Sequence, residues 1–152
     1  MNMPQSLSQI YLHIIFSTKN HLPTIRPEIE TELYAYVASV SNTLSCHAHK
    51  IGGTENHIHI ACNLSRILPV SKLLEEVKKS SSKWMKTKGN KYQNFTWQNG
   101  YGAFSFGRSQ LPAVVKYIED QKEHHCKVTF KEEYLAFLKR YAIEYDERFV
   151  WD

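Results

Sequence analysis

Residues 10–17 alternate in a period of two, so that Ile10, Leu12, Ile14 and Phe16 share one face of an extended segment while Tyr11, His13, Ile15 and Ser17 share the other. That period predicts a strand. After a turn region at about residues 22–27 the period lengthens: Ile29, Leu33, Tyr36, Val37, Val40 and Leu44 form one apolar stripe, which predicts a helix over about 28–43. Extended segments at about 45–51 and from His57 onward flank Gly52-Gly53-Thr54, the signature of a hairpin. A second long helix over about 69–87 turns Val70, Leu74, Val77, Ser81 and Trp84 inward, and Phe104 and Phe106 mark a fourth strand.

The succession strand, helix, strand, strand, helix, strand implies an α+β fold of split βαβ (ferredoxin/RRM-like) type. It has a four-stranded antiparallel sheet with two helices on one face. The opposite face is left for function; two further helices follow in the chain, and the one bearing Tyr117 could cover that face. One is a helix from Leu111 to about His125, for which Ser109 is the expected cap and Pro112 occupies the first turn. The other opens at the capping box Thr129-Phe130-Lys131-Glu132 and carries Phe130, Tyr134, Phe137, Leu138 and Tyr141 on one stripe. The aromatic tail, residues 143–152, is expected to dock on the body or on a second subunit. Gly100-Tyr101-Gly102 fits the middle of the RRM aromatic signature. Asn99 and Ala103 break that signature where a basic residue and a stacking aromatic are needed, so RNA recognition of that type is set aside.

At 152 residues and 42% hydrophobic content the chain fits one domain, residues 1–152, with a sizeable core. The apolar runs are strand-sized and the N-terminal stretch lacks the order of an export signal, so a cytoplasmic protein is expected. Three cysteines without a Cys-x-x-Cys pair read as reduced packing residues. The net charge of +4 is modest but uneven. Lys72, Lys78, Lys79, Lys83, Lys86, Lys88 and Lys91 crowd one helix and its exit, a surface that either attracts phosphates or is simply solvated.

Candidate chemistry begins at Glu55-Asn56-His57-Ile58-His59-Ile60, where a strand projects His57 and His59 together and sends the isoleucines the other way. Two such imidazoles are held well for a shared metal but do not complete a site. About sixty residues later Tyr117 and Gln121, four apart on a helix, offer a nucleophilic phenol oxygen and an amide oxygen, with His124 one turn on. The bland alternative has Tyr117 packing and Gln121 solvated. A rival constellation adds His47 and His49 to make a four-histidine zinc site if the hairpin register allows.

Taken together, these motifs resemble the single-tyrosine HUH transposases of the insertion-sequence-200/605 type. The resemblance is carried by Ser17-Thr18-Lys19, Gly52-Gly53-Thr54-Glu55-Asn56-His57-Ile58-His59, Lys78-Lys79-Ser80-Ser81-Ser82, residues 97–104, Tyr117 through His125, and Tyr145-Asp146-Glu147. His21 stands where many members carry arginine, and Glu55-Asn56 replaces a commoner Pro-Asp. The resemblance implies a metal-dependent enzyme that cleaves and rejoins single-stranded DNA, recognised with a hairpin, at the ends of a mobile element. Tyr117 would be the nucleophile that forms a 5′-phosphotyrosine, and His57, His59 and Gln121 the ligands of Mg²⁺ or Mn²⁺. It further implies a homodimer in which the tyrosine helix serves its own or the partner's histidines, with no nucleotide cofactor and no membrane. Lys78, Lys79, Lys83 and Arg108 are the expected contacts to the DNA backbone. Other readings are an HUH replication initiator or domesticated nickase, a non-enzymatic nucleic-acid-binding module and a zinc hydrolase.

Overall fold

A computed structural model describes residues 4–152; the first three residues, part of the stretch weighed above for an export signal, lie outside the described residues. Four strands, β1 (Tyr11–Ser17), β2 (Ala48–Gly53), β3 (His57–Asn63) and β4 (Gly102–Phe106), form one antiparallel sheet in the order β2-β3-β1-β4. Its two central strands are β3 and β1, and β1 is buried along its whole length. Both faces are therefore covered, as the nearly unbroken apolar run of β1 requires.

On one face lie α1 (Pro27–Thr43) and α2 (Val70–Lys86). Pro27 opens α1 and Glu28 and Glu30 sit in its first turn, which suits the positive end of a helix. Its buried residues, Ile29, Leu33, Val37 and Ser41, follow each other at intervals of four. They meet Leu12, Ile14 and Phe16 of β1, Ile58 and Ile60 of β3, and Leu73, Leu74 and Val77 of α2. The stripe of α2 is rotated slightly from the expected one: Leu73 and Met85 are buried, while Trp84 stacks on Tyr36 at 5.0 Å.

The other face carries α3 (Leu111–Glu119), the single turn α4 (Gln121–His124) and α5 (Phe130–Arg140). The expected continuous helix to His125 is interrupted at Asp120, although His124 N–H still reaches the Asp120 carbonyl at 2.9 Å. Ser109 is not the cap of α3. It falls inside a short 3₁₀ turn at Arg108–Gln110, and the Gln110 amide oxygen instead accepts from Gly107 N–H at 3.2 Å. The capping box of α5 forms as expected, with Thr129 Oγ1 accepting from Glu132 N–H and Glu132 Oε1 accepting from Thr129 N–H, each at 3.2 Å.

Gly52 brings α3 to the sheet: a Cβ there would stand 2.7 Å from the Ile118 carbonyl oxygen, so only glycine allows this approach. The tail docks on the body. Asp152 O accepts from Gly100 N–H at 2.8 Å, and the Trp151 ring packs near His21, Phe130 and Tyr134. Cys46 and Cys62 are buried and free, as packing residues should be; Cys126 is free but exposed, its Sγ donating to the Lys122 carbonyl at 3.3 Å.

Candidate metal and nucleophile site

The register of β1 against β3 pairs Ile15 with His59 and Ser17 with His57, which places His13, His57 and His59 on the face covered by α3 and α5. All three are buried. A buried imidazole is tolerated only when its ring nitrogens have partners. His59 Nδ1 lies 2.8 Å from His13 Nε2, and His57 Nδ1 lies 2.8 Å from Asn56 Oδ1 and 3.0 Å from Thr54 Oγ1. With Nδ1 of each ring held in this way, Nε2 of each is left to point across the sheet. Asn56, at the position of the commoner aspartate, supplies a side-chain acceptor behind His57.

Both Nε2 atoms converge on Glu133 of α5. His59 Nε2 and His125 Nε2 each stand 3.1 Å from Glu133 Oε1, and His57 Nε2 is 3.4 Å from the same oxygen. Gln121, also buried, places its Oε1 3.1 Å from His57 Nε2. The Tyr117 hydroxyl donates to Glu133 Oε2 and lies 3.3 Å from His124 Nε2. Phenol, amide and strand imidazoles therefore meet within one chain.

Charge follows from this crowding. Burial drives the Glu133 carboxyl upward, but hydrogen bonds from His125, His57 and His59 outweigh it and hold the group ionised, well below the usual carboxylate range. Burial holds His59 down at about 4, although Glu133 opposes the shift, and burial with the neighbouring His59 lowers His13 well below its ordinary value. Burial first and the Glu133 carboxylate second raise the Tyr117 phenol above its ordinary value, so in this arrangement it keeps its proton.

One donor atom each from His57, His59, His125 and Glu133 lies within 4.8 Å of the others. Three imidazoles and a carboxylate, with the second nitrogens of His57 and His59 already oriented, form a donor set that suits a divalent ion. His125 and Glu133 had no assigned role in the sequence reading. The legible signal for Glu133 was its place on the apolar stripe of α5, three residues after Phe130 and four before Phe137. A carboxylate there has to be paired.

His47 and His49 do not join this cluster. A bulge interrupts the pairing of β2 with β3 between Ala48 and Lys50, and the His49 ring bonds to Asn63 at the far end of β3, four residues beyond His59. Four residues of strand is about 13 Å, too far for a shared ion. His21, expected to bear on a DNA contact, is packed against Phe130 at 5.1 Å and Trp151 at 5.5 Å.

The expected DNA-contacting residues do not form one surface. Lys78 turns inward and donates to the carbonyls of Gln98, Asn99 and Gly100 at 2.9, 3.1 and 2.6 Å, with its ammonium over the Phe16 ring, while burial brings its pKa down to about 8. It fastens the segment after Trp97 to the end of β1 and is no longer free for a phosphate. Lys79 pairs with Glu76, Lys88 with Glu32 and Lys91 with Glu28. Lys83 is exposed and has no acidic partner among the described residues. Arg108 lies on the other side of the sheet, at the start of the 3₁₀ turn before α3, where it donates to the Tyr11 hydroxyl at 3.1 Å.

Comparison with known proteins bears on this geometry. Residues 6–121 match the family model described as "Transposase IS200 like". Among solved structures, a transposase candidate from Deinococcus radiodurans R1 is 14% identical with a TM-score of 0.61, covering 80% of this chain and 98% of that one. A REP-associated tyrosine transposase bound to a REP hairpin is 15% identical with a TM-score of 0.58, covering 84% of this chain and 76% of that one. At such identities the two structures share the fold. No curated protein sequence matches the chain.

Proposed function

Because this chain belongs to the IS200-like transposase family, a family of single-tyrosine HUH enzymes, we propose that it cuts and rejoins single-stranded DNA at hairpin-bearing element ends with Tyr117 as nucleophile. The observation that carries the reading is the meeting of the Tyr117 hydroxyl, the Glu133 carboxylate and the Nε2 atoms of His57, His59 and His125 within a single chain. The hairpin held by the REP-associated relative agrees with such a substrate.

His57, His59, His125 and Glu133 would hold a divalent ion, with Gln121 beside His57, and the ion would polarise the scissile phosphate, stabilise charge on the departing oxygen and offset the Glu133 charge that, after burial, adds to the phenol's hold on its proton. A set rich in nitrogen favours Mn²⁺ or another first-row ion over Mg²⁺, which prefers oxygen ligands. Glu133 Oε2 orients the phenol oxygen by accepting its hydrogen bond. Tyr117 would give up its phenol proton through Glu133 Oε2 and attack phosphorus in line, the bond to the 3′ oxygen breaks, and that oxygen takes up a proton in turn. The products are a 5′-phosphotyrosine and a free 3′-hydroxyl. Attack by a 3′-hydroxyl reverses the step without ATP, because the phosphodiester energy is kept in the covalent link.

Lys79, Lys83 and Arg108 would contact backbone phosphates. Residues 1–152 act as one domain in this reading, since the site draws on β3, α3 and α5 alike. A homodimer would bring two strand ends together, each copy carrying its own set of residues. No helix among the described residues is long and apolar enough to cross a membrane.

The test is incubation with Mn²⁺ or Mg²⁺ and single strands from either side of the coding gene. A covalent protein–DNA adduct is expected that falls at least about a thousand-fold in Tyr117→Phe. An adduct that persists in that variant would overturn the assignment.

A further inference from the structure

Beside the nucleophile the structure contains a cavity of about 420 Å³, whose lining includes His13, His124 and Glu133 but none of His57, His59 and His125. Its volume falls within the roughly 300–1,000 Å³ of small-molecule pockets. Phe106 of β4 forms one wall, Val114 and Tyr117 of α3 another, and Phe137, Arg140 and Tyr141 at the end of α5 a third. The walls are largely apolar and aromatic. Phe137 lies stacked on Phe104 with ring centres 5.3 Å apart, and the Arg140 guanidinium stands 5.6 Å from the centre of the Phe137 ring. Arg140 has no acidic partner among the described residues, and Tyr141 is 39% exposed at the rim.

We propose that this cavity receives an unpaired nucleobase of the DNA strand, from the nucleotide adjoining the phosphate that Tyr117 attacks. The proposal rests on the strand-cleavage reading above, which puts a phosphate at the Tyr117 oxygen. The base next to that phosphate has to go somewhere. Toward the metal donors the space is filled by His57, His59 and Gln121, all buried. On the other side the cavity begins at the Tyr117 ring itself and offers what an unstacked base needs: flat apolar surfaces, and a cation at the rim for the adjoining phosphate or for a base edge. Phe106 and Tyr141 supply faces for stacking. Glu133, buried, and Glu132, exposed, both line the cavity and disfavour an anionic occupant, so the base enters and the phosphates stay beside Arg140.

Photocrosslinking tests this. Full-length protein with Mn²⁺ is mixed with short single strands of randomised sequence that carry 5-iodouracil in place of thymine, irradiated, and the crosslinked residues are mapped by mass spectrometry. Crosslinks are expected at Phe106, Phe137 or Tyr141. Tyr141→Leu should lower them about ten-fold and slow adduct formation at Tyr117 by a similar factor, mainly through KM, the size expected when one base loses a stacking partner. Tyr141→Phe should retain both, and Arg140→Gln, at an exposed position, should weaken binding without moving the crosslinks. A Tyr117 adduct that forms normally while crosslinks map elsewhere, or are untouched by Tyr141→Leu, overturns the pocket alone. Absence of both adduct and crosslink in the unaltered protein overturns the strand-cleavage reading and the pocket with it.

Discussion

The two faces of the sheet are built from the same two strands and hold opposite kinds of interior. Toward α1 and α2, β1 and β3 present Leu12, Ile14, Phe16, Ile58 and Ile60 to an interior of aliphatic and aromatic side chains. Toward α3 and α5 they present His13, Ile15, His57 and His59, and the opposing helices answer with Tyr117, Gln121 and Glu133. The first gains about 25 cal/mol for each Å² of apolar surface buried, whereas the second joins a smaller apolar cluster, Ile15, Phe104, Phe130, Tyr134, Phe137 and Leu138, to polar atoms that must be satisfied to offset desolvation. The larger apolar core thus lies toward α1 and α2, the helix face. The site face is a network in which each member depends on the others, and an ion with differential affinity for that network stabilises it further.

The sharpest way to separate the faces is to damage each alone. Leu33→Ala, at a fully buried position under the sheet, should cost about 2–5 kcal/mol in denaturant unfolding while leaving the Mn²⁺-induced rise in unfolding temperature in place. If that rise disappears as well, the faces are not independent.

Acid should act on the site face. His59 is held at about 4 against an ordinary 6.5, so between these values the unfolded chain binds a proton that the folded chain refuses. Stability therefore falls as pH drops from 6.5 to 4, by on the order of 3 kcal/mol, and His13, shifted the same way, adds to the loss. Unfolding curves of the metal-free protein across this window measure it. Leu33→Ala should show the same slope.

His57→Ala should abolish the stabilisation by Mn²⁺. For the unaltered protein this is about 2.7 kcal/mol when the ion is at a hundred times its Kd. Retention of the full effect would remove His57 from the ligand set. The smallest effect is expected from Lys83→Ala: unchanged unfolding temperature, and a slope of log binding constant against log salt for single-stranded DNA lower by about one.

Much of the helix face was legible in advance because its determinants are local. Ile29, Leu33 and Val37 announce a stripe within three turns, and the alternation along β1 assigns each residue to a face whatever the neighbours are. His57 and His59 were legible for the same reason, as were Tyr117 and Gln121, although their joining to the histidines came from resemblance and not from periodicity. Lys78 shows the limit: its place among lysines suggested a phosphate contact, but the three carbonyls that bind it belong to a segment about twenty residues away. Ser109 shows it at shorter range, since a 3₁₀ turn displaced the helix start from the residue best suited to cap it.

What the sequence by itself determined was the succession of elements, the face on which each strand residue lies, and a pair of imidazoles awaiting partners. What only the tertiary structure decided was who those partners are. Glu133 reaches His59 across 74 residues of chain, and His125 arrives beside it, because α5 packs its aromatic stripe on the sheet and carries a carboxylate into the interior with it. A residue's own period tells which way it points; what it meets there depends on how distant elements pack together, and no local pattern encodes that.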